Sequence, residues 1–169
     1  MRAAFAALAA SLAVTSVSAL AQAVKDVDVL WVGTYKIAGT RPVEDPTAPT
    51  GYRYVSQGIE PLHATQRVPA AIGTRFGVAY VLRGEPAGAI VPVHAFWRFP
   101  PAGITNPETR TTVFEWKTGE LQCRLEQQPF CLMGYPLQHP WELVPGRWTL
   151  EVWAAGTKVV ETFFDVFTP

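Results

Sequence analysis

The fold is decided at residues 147–167, which read RWTLEVW-AAGT-KVVETFFDVF. Apolar side chains occupy alternate positions on both sides of a glycine-containing turn, and this pattern predicts a β-hairpin with one buried face. If a three-residue loop joins the strands, one face carries six even-numbered side chains: Trp148, Leu150, Val152, Val160, Phe164 and Val166. Such a terminal hairpin closes many small antiparallel sandwiches, so it predicts a fold class but names no chemistry.

Two further alternating stretches lie in the middle of the chain, at residues 75–83 and 91–99. Alternation with period two over this length is typical of half-buried strands. The intervening residues 84–88 read GEPAG and form a turn by composition. We therefore expect these two strands to pair as a hairpin.

Shorter strand candidates, bounded by turn residues, fill most of the remaining chain. Residues 111–117 and 121–125 predict another hairpin, whereas residues 39–51 are proline-rich and predict a loop. The other strand candidates are residues 26–37, 52–57, 62–68 and 130–135. Together these elements predict an all-β, antiparallel β-sandwich of about seven to nine strands, with a closed barrel as the alternative.

Residues 1–21 have the pattern of a cleavable secretory signal. A basic start is followed by an alanine-rich apolar run over residues 3–17 and by the small-x-small sequence Ala19-Leu20-Ala21. The alternative is a membrane anchor, which needs about 20 apolar residues and no cleavage site. We therefore expect residues 22–169 to form one exported domain, periplasmic or secreted, without a transmembrane anchor.

The charge pattern argues against a polyanionic partner. The formal net charge of the chain is zero, with 14 basic and 14 acidic residues, and no cluster of Lys and Arg stands out. Such a chain offers no electrostatic footprint for nucleic acid or for an anionic membrane. We expect no nucleic-acid partner.

Cys123 and Cys131 are the only two cysteines, and an even count in an exported chain predicts a disulfide. The loop that they close spans nine residues, and chain entropy gives such a bond about 2.5 kcal/mol of stabilisation. We expect it to staple one hairpin rather than to hold the domain together. A redox or metal pair is the alternative, but the spacing is not Cys-x-x-Cys and no histidine lies at zinc-finger spacing.

Five segments, in one order along the chain, carry a family resemblance. They are RVPA at 67–70, GTRFG at 73–77, RFP at 98–100, TNP at 105–107 and WELVPGRW at 141–148. Over roughly residues 26–166 the chain resembles the small secreted bacterial proteins described as domain of unknown function 3859. The resemblance implies an immunoglobulin-like sandwich and bacterial export, and it brings no catalytic residues. Residues 122–133, which contain both cysteines, depart from the family pattern.

Patterns for catalysis are weak. His63, His94 and His139 are spread over different segments, and Ser56, the only serine after the signal, is not in a Gly-x-Ser-x-Gly elbow. A glycosidase would need two convergent carboxylates, for which the candidates are Glu108, Glu115, Glu142 and Glu151. The sequence therefore predicts no catalytic residue, cofactor or metal, and a hydrolase would need a site that assembles only in the fold.

Outward-facing aromatic side chains are the main functional candidates. If the even positions of the terminal hairpin are buried, then Trp153, Phe163 and Phe167 lie among acids on the opposite face, as in a partner surface. The alternative is that another strand or loop covers them. Trp141 lies in a loop, where it would either stack on a sugar ring or plug the end of the core.

Arginines are the second set of candidates. Arg75 and Arg98, with Arg83, lie on one outer face if their strands pair, and they would then form a small anion site. We interpret the chain as a non-enzymatic exported binding module of unknown specificity that presents a sheet face or end loops to another envelope protein or to a ligand. The alternative is a module that binds carbohydrate or a small ligand through exposed aromatic side chains.

Overall fold

A computed structural model describes residues 23–37, 39–56, 58–126 and 130–169. Its regular structure is almost entirely β-strand, apart from a short 3-10 turn at Pro140–Glu142. The strands are β1 (Ala23–Ile37), β2 (Thr40–Glu44), β3 (Tyr52–Ser56), β4 (Ile59–Ala64), β5 (Arg67–Pro69), β6 (Arg75–Glu85), β7 (Ile90–Arg98), β8 (Ile104–Asn106), β9 (Thr111–Val113), β10 (Glu115–Lys117), β11 (Leu121–Arg124), β12 (Cys131–Pro136), β13 (Gly146–Ala154) and β14 (Thr157–Phe167). The signal segment expected at residues 1–21 lies outside the described residues. In the part of the chain described, no helix is long and apolar enough to cross a bilayer.

Two sheets form the body of the fold, which confirms the predicted all-β sandwich. The first sheet has four strands in the order β12-β6-β1-β4. The second has the order β10-β7-β13-β14-β5, and β11 also pairs with β7. Two small hairpins, β2–β3 and β8–β9, stand apart from the sheets. Side chains from both sheets meet in one hydrophobic core.

Aromatic rings dominate the centre of this core. Phe76 of the first sheet packs against Phe164, Trp148 and Trp97 of the second, with ring centroids 4.9, 5.6 and 5.7 Å apart. All four side chains are fully buried. Their edge-to-face geometry is the arrangement that aromatic quadrupoles favour, so these rings tie the two sheets together.

The terminal hairpin has the predicted faces. All six even-numbered side chains expected in the core are buried. The strands pair from Gly146↔Val166 to Ala154↔Thr157, so the loop holds two residues rather than the expected three. The register shifts between Val152 and Trp153, and this bulge absorbs the difference.

The predicted hairpin of residues 75–83 and 91–99 is wrong, although both strands exist. β6 lies in the first sheet and β7 in the second, so the two strands face each other across the core. Alternation with period two reports which face of a strand is buried, and this is the same for a sheet neighbour and for a strand across the core. Consequently Arg75 and Arg98 do not share an outer face.

The second mid-chain hairpin is also wrong. β10 pairs with residues 96–98 of β7 and β11 with residues 90–93, so the two lie end to end along the same strand. The turn expected at Thr118-Gly119-Glu120 only links them. Both segments therefore form one free edge of the second sheet.

The disulfide between Cys123 and Cys131 is present, but its expected role within one hairpin is wrong. Cys123 belongs to β11 of the second sheet and Cys131 to β12 of the first. The bond therefore joins the edges of the two sheets. Between these two cysteines the chain changes sheet within eight residues, and the pattern of alternating side chains does not indicate this change.

The connection between β1 and β4 folds into a separate hairpin. Ile37 of β1 pairs with Ile59 of β4, and the intervening chain contains β2 and β3. Residues 39–51 were expected to be a loop, but Thr40–Glu44 form a strand. Their proline content agrees with a position outside both sheets. We call residues 40–56 the lid.

Candidate functional site

A cleft opens where the two sheets present free edges on the same side of the sandwich. One wall is β12 with β6, the other is β10 and β11 with β7, and the lid lies against the opening. The cavity has a volume of about 480 Å³, which falls within the range of small-molecule sites. We refer to this cavity as the cleft.

The turn of the lid is anchored to the second sheet. Thr47 Oγ1 donates to the carbonyl of Lys117 at 3.1 Å, and the Gly119 N–H donates to Asp45 Oδ2 at 3.2 Å. Asp45 is 6% exposed and also accepts from Thr47, at 2.6 Å. These bonds hold the lid against the segment that links β10 and β11, so it is part of the cleft wall.

Tyrosines mark the cleft. The chain has five tyrosines, and all five line this one cavity: Tyr35, Tyr52, Tyr54, Tyr80 and Tyr135. Two come from the lid, two from the paired strands β6 and β12, and one from the end of β1. Tyrosine offers a rigid apolar ring with a polar end, which suits it to binding surfaces.

Two donors on this cavity have no partner among the described residues. They are Tyr80 Oη and Trp116 Nε1, both buried. Burial raises the pKa of Tyr80, so its hydroxyl stays protonated and can donate. A buried donor without an acceptor costs about 1–3 kcal/mol, whereas an acceptor on a bound molecule removes that cost.

Glu142 closes one end of the cleft from within. One carboxyl oxygen accepts from Tyr135 Oη at 2.8 Å, and the other accepts from the backbone N–H groups of Gln138 and His139, each at 2.7 Å. Its side chain is fully buried, and this burial raises its pKa. The carboxyl group therefore fixes the turn around residues 138–142.

The remaining charges on the cleft wall are positive. Arg53, Arg75 and Arg124 line it, and Glu142 is the only acid among the lining residues. In the described chain these arginines form no salt bridge. Arg75 and Arg124 donate only to the backbone carbonyls of Gly73 and Gly88, each at 3.3 Å. The cleft thus combines aromatic walls with uncompensated positive charge.

Trp153, one of the predicted surface aromatics, lies half-buried on the outer face of the second sheet. Its ring stacks on His94 with centroids 6.4 Å apart and meets Phe96 edge-on at 6.1 Å. Its Nε1 donates to Glu151 at 3.0 Å. The group is therefore a self-contained cluster on the sheet surface.

Phe163 and Phe167 lie on the same outer face, half-buried. The guanidinium of Arg147 sits 4.1 Å from the ring centre of Phe163, and that of Arg67 sits 4.9 Å from Phe167. These distances are typical of cation–π contacts. The rings are therefore covered in part by cations of the same chain.

Arg98 and Trp141, the other predicted site residues, lie elsewhere. Arg98 binds Glu115 at 2.9 Å and Glu151 at 2.7 Å. Trp141 stacks on His139 with centroids 5.0 Å apart and packs against the core. Of the six surface residues expected from the sequence, the structure brings only Arg75 to the cleft.

The three histidines weighed for catalysis lie apart in the described chain. His63 lies on β4, His94 on β7 and His139 before the 3-10 turn. Over the described ranges no group of three or more His, Cys, Asp or Glu could hold a metal ion. The side chain of Ser56 lies outside the described residues.

Sequence reasoning missed the cleft because its walls come from strands that are far apart in the chain. Tyr80 and Tyr135 occupy inward positions and look like ordinary core residues. A usable signal was present in composition: the proline-rich connection contains two tyrosines, Tyr52 and Tyr54, close to Arg53. Polar-ended aromatics beside a cation are more typical of a binding wall than of a connector.

Fold and cavity together define an immunoglobulin-like β-sandwich with a cleft at one open edge. The chain belongs to the family described as domain of unknown function (DUF3859), whose model matches residues 27–166. This match confirms the resemblance found in the sequence.

Solved structures support the fold. The chain is similar to an immunoglobulin-like protein from Pseudomonas aeruginosa, with a TM-score of 0.57 and 23% identity over 86% of this chain and 99% of that one. A second likeness, to the alkylpurine DNA glycosylase AlkC of Pseudomonas fluorescens bound to DNA, has a TM-score of 0.37 and 14% identity over 60% of this chain and 27% of that one, and it carries no argument. No curated protein matches the sequence.

Proposed function

We propose that this protein is an exported, non-enzymatic binding module that holds a small organic molecule in the cleft between its sheets. The observation that carries the proposal is a pair of buried donors with no partner among the described residues, Tyr80 Oη and Trp116 Nε1, in side chains that line a cavity with all five tyrosines. Buried polar groups in proteins are normally hydrogen-bonded. A ligand with acceptor atoms supplies the missing partners, and the aromatic walls cover its apolar surface.

Two features support export. Residues 1–21 carry the signal pattern, and the disulfide persists only in an oxidising compartment. That bond joins the edges of both sheets beside the cleft, so an oxidising compartment also preserves the binding site.

The test uses the neutral fluorophore N-phenyl-1-naphthylamine on purified residues 22–169. We expect saturable binding of one probe per chain, with the fluorescence increase of an apolar environment. Leu121→Trp places a larger side chain on the wall opposite β12 and so takes up space in the cleft. It should weaken binding by at least about tenfold, since overfilled apolar sites tolerate little extra volume.

A matched control is Thr149→Trp, which adds the same ring to the outer face of β13. It should bind the probe as the wild type does, and circular dichroism should confirm that both variants are folded. Wild-type protein that shows no saturable binding would overturn the proposal. Equal binding by Leu121→Trp would do the same.

A second candidate function uses the outer face of the second sheet. Its support is the half-buried cluster of His94, Phe96 and Trp153, with Phe163 on the same face. We propose that this face docks another envelope protein. Trp153→Ser combined with Phe163→Ser should abolish crosslinking to a single stoichiometric partner in envelope extract while probe binding in the cleft persists. A partner that still crosslinks to the double variant would exclude this face.

A further inference from the structure

A second cavity adjoins the cleft. It has a volume of about 730 Å³ and lies between β1, β4 and the segment before β6. Tyr35, Ile37 and Arg75 line both cavities, so the two meet at these residues. We call the second cavity the groove.

The groove is cationic. Its charged lining residues are Lys36, Arg67 and Arg75, His63 also lines it, and no Asp or Glu is found among the described residues of its lining. Thr34 also lines it, and the hydroxyl of this residue is buried without a partner in the described chain. A hydroxyl donor and several cations around one space are the chemistry of an oxyanion site.

Arg75 differs from its neighbours in having no acid opposite it. Lys36 lies across from Glu60 on β4, and Arg67 lies across from Asp165 on β14. Arg75 lies across from Pro136 on β12. Its side chain is half-buried, and within the described ranges it donates only to the Gly73 carbonyl, so most of its five N–H donors are unused there.

Tyr35 holds the junction together with Arg75. A Cβ atom on Gly134 would lie 2.2 Å from Tyr35 Oη, so only glycine lets the ring lie against β12. Tyr35 and Arg75 both line the two cavities where these meet, and burial raises the pKa of Tyr35, so its hydroxyl stays protonated and can donate. A guanidinium and a phenol that line one junction can both donate hydrogen bonds to an anion.

The cleft runs from this junction toward the disulfide. Along β6 and β12 the register passes from Arg75↔Pro136 to Tyr80↔Cys131, a distance of about 17 Å for five residues of strand. Met133, Tyr135 and Val93 line this path. An elongated apolar body fits along it with its charged end at Arg75.

We infer that the ligand of the cleft is an amphipathic anion, with an apolar body along β12 and a carboxylate, sulfonate or phosphate group bound at Arg75. This inference rests on the proposed function and names its ligand class. Arginine suits the role because its planar fork of donors matches an oxyanion with two parallel hydrogen bonds.

The test compares two probes that share one body. N-phenyl-1-naphthylamine is neutral, and 1-anilinonaphthalene-8-sulfonate is the same molecule with a sulfonate group. Wild-type protein should bind the sulfonate about tenfold more tightly than the neutral probe, as expected for a charge-assisted contact. Arg75→Gln should remove most of this preference while leaving the affinity for the neutral probe within about twofold.

Two further variants sharpen the test. Arg75→Lys keeps the charge and should retain part of the preference. Arg110→Gln removes an exposed arginine between β8 and β9 that lines neither cavity and should leave both affinities unchanged.

The outcomes separate the two proposals. Saturable binding of both probes with equal affinity would overturn the assignment of an anionic ligand, but the cleft would remain a binding site. If Arg75→Gln weakens the binding of both probes equally, Arg75 is only part of the cavity wall, and its assignment as the anion-binding residue is overturned. Binding of neither probe would overturn the proposed function itself.

Discussion

The cleft and the outer face of the second sheet are both rich in aromatic side chains, yet their polar groups differ. On the outer face Arg98 binds two glutamates, Arg147 binds Asp165, and Lys158 contacts Glu151 and Glu161. Among the described residues the arginines of the cleft lack acidic partners, and two buried donors in its lining residues lack acceptors. Aromatic content alone therefore does not distinguish the two regions, whereas the partners of their polar groups do.

The outer face is stable without a partner because its own groups satisfy it. Surface ion pairs contribute about 0–1 kcal/mol each, and cation–π contacts at exposed sites add about 0.5–1 kcal/mol. In the part of the chain that the structure describes, the arginines of the cleft make no such ion pair. This difference is why we assign the binding function to the cleft first.

The largest test of the comparison uses two adjacent residues of β14 that face opposite sides. Phe164→Ala empties the centre of the core and should lower the free energy of unfolding by about 3–5 kcal/mol. Phe163→Ala removes a half-buried ring on the outer face and should cost about 1 kcal/mol. Urea unfolding measures both. Equal losses would mean that the hairpin faces are assigned wrongly.

The disulfide gives the next effect. Changing both Cys123 and Cys131 to Ser should lower the free energy of unfolding by about 2.5 kcal/mol, the chain-entropy value for this loop. It should also weaken binding of N-phenyl-1-naphthylamine, because the two sheet edges beside the cleft are no longer joined. Reduction of the wild-type protein should reproduce both effects, and the reductant should not alter the double variant. Unchanged probe affinity would show that the bond does not shape the cleft.

The smallest effect contrasts two buried glutamates with opposite pKa shifts. Burial raises the pKa of Glu142 above its ordinary 4.5, so the folded state holds this proton more tightly than the unfolded state. Its contribution to stability therefore falls as pH rises from 4.5 through the folded pKa. The hydrogen bond from Arg98 lowers the pKa of Glu151, so its contribution is present above the unfolded pKa and is lost as pH falls.

Urea unfolding between about pH 3 and pH 7 separates the two groups, since one proton changes the slope by at most about 1.4 kcal/mol per pH unit. The wild-type protein should lose stability as pH rises toward the upper end of this range, and Glu142→Gln should remove that loss. It should also lose stability as pH falls toward the lower end, and Glu151→Gln should remove that second loss. A Glu142→Gln profile parallel to the wild type would contradict the raised pKa.

Much of the fold was predictable because the deciding signals are local. The alternation around Trp148 and Phe164 identified the buried face of the terminal hairpin, and the WELVPGRW segment helped to identify the family. The strands at β6 and β7 were also found at nearly correct positions. Each of these conclusions depends only on residues close together in the sequence.

Sheet partners and the site were not predictable in this way. The alternation of β6 and β7 is compatible with pairing and with packing across the core, and the wrong choice misplaced Arg75 beside Arg98. The same ambiguity hid the true role of the disulfide. Tyr80 and Trp116 became candidates only once the fold showed that their donors have no partner.

The lid has a consequence for how this scaffold varies. The connection that contains it leaves the first sheet at Ile37 and returns at Ile59, which are paired neighbours, so this pairing does not depend on the length of the connection. Lengthening such a connection adds little closure entropy. The lid carries Tyr52, Arg53 and Tyr54 of the cleft wall. Related proteins can therefore differ in ligand selectivity through this one segment while both sheets stay the same.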